Sequence, residues 1–129
     1  MALIRKVRGH EPVIGENTFL AETAVILGNV TIGRDCSIWY NAVLRGDVIE
    51  DNCLIGMGAT VLDNAHVPSG CIIAANALVL SNAQLEPNSV YAGVPARKVK
   101  EITPEQRDEI VRRTAHDYML YASWYGEEE

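Results

Sequence analysis

Large aliphatic residues recur at every sixth position over most of this chain. The first run comprises Ile14, Leu20, Ile26, Ile32, Ile38 and Leu44, and the second comprises Ile49, Ile55, Val61, Val67, Ile73, Val79, Leu85 and Tyr91. Mostly small residues follow four places later, at Thr18, Ala24, Val30, Cys36, Ala42, Val48, Cys53, Ala59, Ala65, Cys71, Ala77, Ala83, Ser89 and Pro95. A period of six fits neither the 3.6-residue turn of a helix nor the two-residue alternation of a strand. It predicts short strands joined by tight corners, with one large inward side chain per strand and a small one at each corner.

Three such strands close one triangular coil of about 18 residues, so the pattern predicts an all-β solenoid, a parallel β-helix of hexapeptide repeats, over residues 14–99. Residues 1–13 are predicted to form an N-terminal capping segment, with Leu3 and Ile4 in a strand. A cap is needed because a solenoid otherwise exposes its apolar cross-section.

The period of six is interrupted once. Ile49 follows Leu44 by five residues, which places the break at Val48–Ile49. A slip of one residue is costly in a strand because it turns inward side chains outward. If a segment of uninterrupted hexads is missing at this break, its length must be one residue more than a multiple of six, because only such a length restores the period.

A C-terminal α-helix is predicted within residues 100–129. Thr103 has the character of an N-cap, Pro104 of a first helical residue, and Gln106 completes a capping box. An apolar stripe at helical spacing comprises Val111, Ala115, Tyr118, Ala122 and Tyr125. This stripe is expected to pack on the side of the β-helix, either of its own subunit or of a neighbour.

Composition narrows the choice of partners and compartment. The net charge of −6 argues against a nucleic-acid backbone as partner, and no apolar run approaches the about 18 residues of a membrane span. No signal-peptide core follows Met1, so we expect a cytoplasmic protein. Cys36, Cys53 and Cys71 all fall in the small-residue column and lack C-x-x-C spacing, which favours reduced packing cysteines over a disulfide framework or a zinc site.

Three stretches carry a family resemblance. They are Asn41–Asp47 (Asn-Ala-Val-Leu-Arg-Gly-Asp), Ile55–Asp63 (Ile-Gly-Met-Gly-Ala-Thr-Val-Leu-Asp) and Tyr91–Val99 (Tyr-Ala-Gly-Val-Pro-Ala-Arg-Lys-Val). With the C-terminal helix, they resemble the γ-class carbonic anhydrase-like family of hexapeptide-repeat proteins. The resemblance implies a left-handed parallel β-helix and a homotrimer with the helices along its outside. It also implies zinc or iron held by three histidines at a cleft between two subunits, where the metal activates water for attack on carbon dioxide.

This chain departs from the family at the metal site. One family histidine follows a hexad containing Gln-Asp, and two stand in a Gly-His-x-x-x-x-His stretch, but His10, His66 and His116 lie in neither motif. In the family, the metal-bearing coils lie between the Arg-Gly-Asp and Ile-Gly-Met-Gly stretches, which is where the period slips here. We therefore predict no metal ligands, no cofactor and no cofactor-binding residues in this chain. Either the chain is a natural short variant, or its gene encodes further residues at this point.

Several residues remain candidates for a functional role. Arg45 and Asp47 could be a solvated corner pair. The resemblance implies that they lie near the metal cleft and the trimer interface, where the arginine reaches an acid across the subunit boundary and orients the groups around the metal. His66 is expected at a corner as an outward surface residue, or alternatively as the general base of an acyltransferase. Trp39 and Tyr40 are expected on the outside of a coil, in a subunit contact.

Three functions are left open. The first is a γ-carbonic anhydrase-like homotrimer whose full-length form acts on carbon dioxide and bicarbonate, with this chain inactive. The second is an acyl-CoA-dependent acyltransferase with His66 as base, although no long loop interrupts the hexads. The third is a non-catalytic trimeric assembly subunit.

Overall fold

The structure, a computed structural model, describes residues 2–113 of the chain. Strands of two to five residues follow one another around a solenoid: β1 Leu3–Arg5, β2 Val13–Ile14, β3 Phe19–Leu20, β4 Val25–Leu27, β5 Thr31–Ile32, β6 Ser37–Ile38, β7 Val43–Arg45, β8 Val48–Ile49, β9 Leu54–Ile55, β10 Thr60–Val61, β11 His66–Val67, β12 Ile72–Ile73, β13 Leu78–Val79, β14 Ser89–Ala92 and β15 Arg97–Glu101. Helix α1 begins at residue 104 and is described as far as residue 113. These elements confirm the predicted parallel β-helix and the predicted helix start.

Every third strand stacks into one of three sheets, which form the sides of the solenoid. Sheet A has the order β1-β4-β7-β10-β13, sheet B has the order β11-β8-β5-β2, and sheet C has the order β15-β14-β12-β9-β6-β3. All pairings between coils are parallel, and only β14 and β15 pair antiparallel. β1 pairs with β4, so the predicted capping strand at Leu3 and Ile4 is confirmed as part of the first coil.

The solenoid core is the predicted aliphatic column. Its fully buried large members are Ile26, Ile32, Ile38, Leu44, Ile49, Ile55, Val61, Val67, Ile73 and Val79. Burying one such side chain stabilises the fold by about 1.5–3 kcal/mol relative to leaving it in water. Because each coil contacts only its neighbours, this stability depends on an unbroken stack of coils.

The corners use residues that tolerate a left-handed backbone. Asn17, Asn41, Asn52, Asn64 and Asn76 have φ between 59° and 63°, and each immediately precedes a residue of the small column. Asparagine and glycine adopt this conformation more easily than other residues. The backbone therefore turns at the asparagine and then directs the next side chain into the core.

A second apolar cluster lies on the outer face of sheet C, beneath the C-terminal segment. Trp39, Leu54, Ile72 and Ile102 are buried there, and the Trp39 ring lies 5.1 Å from that of Phe19. Trp39 is therefore covered within its own chain, and the expected subunit contact at this residue is wrong.

Helix α1 packs its first turns against this second cluster. Ile110 and Val111 contact the cluster, which confirms the predicted docking for Val111, whereas Ala115, Tyr118, Ala122 and Tyr125 lie outside the described residues. Thr103 Oγ1 accepts a hydrogen bond from the Gln106 amide at 3.1 Å, and Gln106 Oε1 accepts one from the Thr103 amide at 3.0 Å. This is the predicted capping box. Within residues 2–113, no helix is long and apolar enough to cross a membrane.

Candidate functional site

The corner between β7 and β8 is one residue shorter than the corners stacked on either side of it. In the coil before, four residues separate Ile26 from Thr31; in the coil after, four separate Val61 from His66. The corresponding positions in this coil are Leu44, which pairs with Val61, and Val48, which pairs with both Thr31 and His66. Only three residues separate Leu44 from Val48. The slip in the period is thus absorbed inside Arg45–Asp47, and the sheets continue in register on both sides.

This shortened corner corrects the predicted position of the break. Val48 was expected in the small inward column, but its side chain faces outward and is 42% exposed. Asp47 takes the inward place instead and has no exposed surface. The cause is the left-handed residue Gly46 (φ 62°), which turns the chain immediately before Asp47, as the corner asparagines do elsewhere. The interpretation of Arg45 and Asp47 as a solvated corner pair is therefore wrong for Asp47.

The carboxyl group of Asp47 is buried in an apolar interior, where few hydrogen bonds compensate for its lost contact with water. Its Oδ2 accepts a hydrogen bond from the Arg45 amide at 3.0 Å, while its buried Oδ1 has no hydrogen-bond partner among the described residues. The pKa of Asp47 is raised from 3.8 to about 8, chiefly by burial and to a smaller extent by the nearby Asp63 carboxylate, against the lowering effect of the Arg45 amide. The protonated form is thus favoured near neutrality, because an unpaired buried charge is costly.

Arg45 points to the outside of the same corner and does not neutralise Asp47. Its Nε lies 3.1 Å from Oδ1 of Asp63, which belongs to the next coil of the same chain. Both side chains are about half exposed or more, so this ion pair contributes at most about 1 kcal/mol. The expected contact of Arg45 with an acid across a subunit boundary stays a prediction.

His66 lies on strand β11 and belongs to a polar cluster on the outer face of sheet B, a position that differs from the predicted corner. Its Nε2 donates a hydrogen bond to Oε2 of Glu50, whose Oε1 accepts bonds from the Ser69 amide at 3.3 Å and the Ser69 hydroxyl at 3.2 Å. The hydrogen bond from His66 lowers the pKa of Glu50. The His66 and Glu50 side chains are 40% and 41% exposed, so the pair is accessible from solvent.

The Glu50–His66–Ser69 cluster was missed in the sequence, although its signal was present. Glu50 follows the inward-facing Ile49 in one coil. In the next coil Val67 stacks on Ile49, with His66 immediately before it and Ser69 two residues after it. A carboxylate held by a serine and bonded to one histidine nitrogen orients the ring and leaves Nδ1 free to accept a proton. This arrangement can perform general base chemistry.

The described residues do not fit the metal site that the resemblance implies. Residues 2–113 contain no group of three or more histidine, cysteine, aspartate or glutamate side chains that could hold a metal ion. His66 directs Nε2 to Glu50, and His10 is exposed in the N-terminal segment, where its backbone bridges to Val7. His116 lies outside the described residues.

Comparison with known proteins agrees with the repeat and with its interruption. The family profile described as "Bacterial transferase hexapeptide (six repeats)" matches residues 11–46 and 48–81. The two matched segments meet at Asp47, the buried residue of the shortened corner. The profile thus covers the coils on both sides of the corner that the structure shows to be irregular.

Two relatives match over most of their own length. A probable carbonic anhydrase of Methanocaldococcus jannaschii is 40% identical over an alignment that covers 73% of this chain and 86% of the relative. A carbonic anhydrase of Geobacillus kaustophilus is 34% identical, with 95% of this chain and 91% of the relative covered. Among solved structures, a Bacillus cereus protein described as an acetyltransferase is 25% identical, with a TM-score of 0.55 and 99% of both chains covered.

These relatives carry residues that have no counterpart in this chain. The Methanocaldococcus alignment runs over 137 residues but covers 73% of 129 residues, about 94, which leaves about 43 residues of the alignment unmatched. The Geobacillus alignment runs over 166 residues while covering 95% of this chain, which leaves a similar number. A number of about 43 residues corresponds to about seven hexads and one residue, which agrees with the phase predicted from the interruption.

Proposed function

Because this chain belongs to the hexapeptide-repeat family and is γ-carbonic anhydrase-like, we propose that it keeps the scaffold of those enzymes but does not hydrate carbon dioxide as it stands. The observation that carries the proposal is the shortened corner. It joins the coils on its two sides through continuous β-pairing and places Asp47, rather than a metal ligand, at the joint. We place the missing residues of the relatives at this corner, and with them the family's metal-binding histidines.

In this proposal the chain acts as a non-catalytic subunit that assembles into a homotrimer. Support comes from the outer face of sheet A, where the apolar Leu3, Val25 and Val43 stack along the pairing direction, followed by Thr60 and Leu78. Beside this row, Leu80 is 47% exposed. Exposed apolar surface of this kind is typical of protein–protein contacts. Within residues 2–113, helix α1 packs on sheet C and not on sheet A, which leaves this face for a neighbouring subunit in the proposed trimer.

We expect the purified 129-residue chain to contain no stoichiometric zinc or iron and to leave the rate of carbon dioxide hydration at the uncatalysed value. The reason is that water activation requires a metal held by at least three protein ligands. Metal analysis, stopped-flow hydration with added zinc or ferrous iron, and light scattering measure the three properties. The Geobacillus enzyme, measured in parallel, is the positive control, and a metal-loaded chain with turnover would contradict the proposal.

Acyl transfer is a second candidate, favoured by the Glu50–His66 pair. A histidine oriented by a carboxylate can deprotonate an acceptor hydroxyl or amine as that group attacks a thioester. Support also comes from the similarity to the Bacillus cereus protein described as an acetyltransferase. The outward position of the pair leaves room for an acceptor on sheet B.

If this second candidate is correct, His66→Ala lowers acyl-CoA-dependent transfer to a panel of amines and hydroxyls by about 10²-fold or more, since general base catalysis contributes about 10²–10⁴-fold. Glu50→Gln is expected to cause a smaller loss, because it keeps the shape but not the charge of the orienting group. His10→Ala serves as the matched control. Transfer that is unchanged in His66→Ala rules this candidate out.

A further inference from the structure

The two carboxylate oxygens of Glu50 bind two different residues of the following coil. Oε1 accepts hydrogen bonds from the Ser69 amide at 3.3 Å and from the Ser69 hydroxyl at 3.2 Å. Oε2 accepts the hydrogen bond that Nε2 of His66 donates. Because each oxygen has its own partner residue, Ser69 and His66 do not compete for the carboxylate, and Glu50 is held at both ends.

The main chain beneath these side chains is fixed by hydrogen bonds between coils. Strand β8 pairs in register with β11, so that Ile49 lies opposite Val67. The Glu50 amide donates to the Val67 carbonyl at 2.9 Å, and the Ser69 carbonyl accepts a bond from the Asn88 amide at 3.1 Å. The freedom that remains at this place therefore belongs to the side chains.

The Glu50 side chain depends on Ser69 for a fixed orientation. It is 41% exposed, and a long side chain at such a position gains rotamer entropy when it turns into solvent. The bond to His66 alone fixes one oxygen and allows the carboxylate to rotate about that contact. The two bonds from Ser69 to the other oxygen prevent this rotation, and hydrogen bonds to an ionised carboxylate are stronger than those between neutral groups.

The orientation of the His66 ring follows from that of the carboxylate. A neutral imidazole has one donor and one acceptor nitrogen, and the hydrogen bond made by one nitrogen sets the role of the other. With Nε2 donating to Glu50, Nδ1 is the nitrogen that can take a proton. Proton transfer requires hydrogen-bond distance, so a ring that turns freely presents Nδ1 to a substrate for a smaller part of the time.

We propose that Ser69 is a positioning residue that fixes the direction in which His66 presents Nδ1. Ser69 acts through Glu50, since its amide and hydroxyl bind the carboxylate and not the imidazole. The use of this arrangement in catalysis rests on the proposed acyl transfer with His66 as base, whereas the effect of Ser69 on the ring does not.

The first test follows the Nε2 proton of His66 in the full chain by ¹H–¹⁵N NMR, with the resonance assigned by its loss in His66→Ala. A proton held by Glu50 exchanges slowly with water and gives a resolved resonance. Ser69→Ala is expected to speed this exchange by about tenfold, the change that corresponds to one hydrogen bond to a charged group. Ser69→Thr keeps the hydroxyl and is expected to exchange as slowly as the unmodified chain.

Ser81→Ala, at another exposed corner of the solenoid, is the matched control and is expected to leave the exchange rate unchanged. Circular dichroism of each variant checks that the solenoid is folded. The proposal is overturned if the unmodified chain shows no resolved Nε2 proton for His66, if Ser69→Ala exchanges no faster than the unmodified chain or Ser81→Ala, or if Ser69→Thr exchanges as fast as Ser69→Ala.

The second test separates the positioning role from the acyl-transfer candidate. Ser69→Ala is expected to lower kcat for acyl transfer by about tenfold with little change in KM, because the loss concerns the orientation of the base and not substrate binding. Transfer that is unchanged in His66→Ala, together with faster proton exchange in Ser69→Ala, overturns acyl transfer and supports the effect of Ser69 on the ring. Transfer that falls in His66→Ala but not in Ser69→Ala overturns the positioning role in catalysis.

Discussion

Replacing Asp47 with alanine is expected to stabilise the protein by about 4 kcal/mol at pH 7, since each pKa unit between folded and unfolded states corresponds to about 1.4 kcal/mol. Asp47 is fully buried, one of its carboxylate oxygens has no hydrogen-bond partner among the described residues, and its pKa is raised from 3.8 to about 8. Alanine is the commonest residue of the column that Asp47 occupies. It therefore removes the buried acid without introducing a new shape into the core.

The pH dependence of this effect has a definite sign. Between pH 3.8 and about 8, the folded state holds a proton on Asp47 that the unfolded state has lost. The free energy of unfolding therefore falls as the pH rises through this window and levels off above it. Urea unfolding of the unmodified chain and of Asp47→Ala across the window measures the difference, which is expected to be constant and smallest below pH 3.8 and to grow towards pH 8.

Asp47→Asn separates charge from polarity. Asparagine cannot ionise, so the pH dependence is expected to disappear, but its amide still leaves a buried polar group partly unsatisfied, so the gain at pH 7 should be smaller than for alanine. Asp35→Asn, at an exposed corner with φ 57°, controls for the general effect of removing one negative charge, because asparagine tolerates this backbone conformation and keeps an oxygen that accepts the hydrogen bond from Asn17. A stability difference between Asp47→Ala and the unmodified chain that stays constant across the window would contradict the burial of an ionisable Asp47.

Inserting the relatives' additional residues at the shortened corner is expected to create the carbon dioxide hydration that we propose the present chain lacks. The graft replaces Arg45–Val48 with the corresponding stretch of the Geobacillus carbonic anhydrase, including the about 43 residues that have no counterpart here. Whole coils can be added because a solenoid is stabilised by contacts between neighbouring repeats. The rate over the uncatalysed reaction is expected to rise by about 10⁶-fold or more, as enzymes typically achieve.

The graft needs a control that keeps the coils and removes the chemistry. The same insertion with its histidines changed to alanine is expected to fold and assemble like the active graft, but to bind no metal and to hydrate no carbon dioxide. Metal analysis, hydration kinetics and light scattering on both versions distinguish loss of ligands from loss of structure. An active graft whose histidine-free version is equally active, or a folded trimeric graft without metal, would contradict the assignment of the missing residues to the metal site.

The candidate site was predictable only in part. The sequence located the irregular stretch, and the phase argument agrees with the number of residues that the relatives carry in addition. His66 was recognised as outward-facing, yet its partners Glu50 and Ser69 were not, because their proximity depends on how one coil stacks on the next. Trp39 was placed on the outside of a coil, but whether a neighbour or the chain's own C-terminal segment covers it depends on how that segment docks.

The sequence by itself determined the solenoid. A large residue every six positions, small residues between them and asparagine or glycine at the turns specify short strands and tight corners through local chemistry. Only the tertiary structure decided which residue of the shortened corner points into the core. The period of six, counted from Leu44, predicted Val48 in the inward column, but the inward direction is set by the β-ladder. Because Leu44 and Val48 are each held in register by neighbouring coils, the three residues between them must close the corner, and Gly46 then turns the Asp47 carboxyl inward.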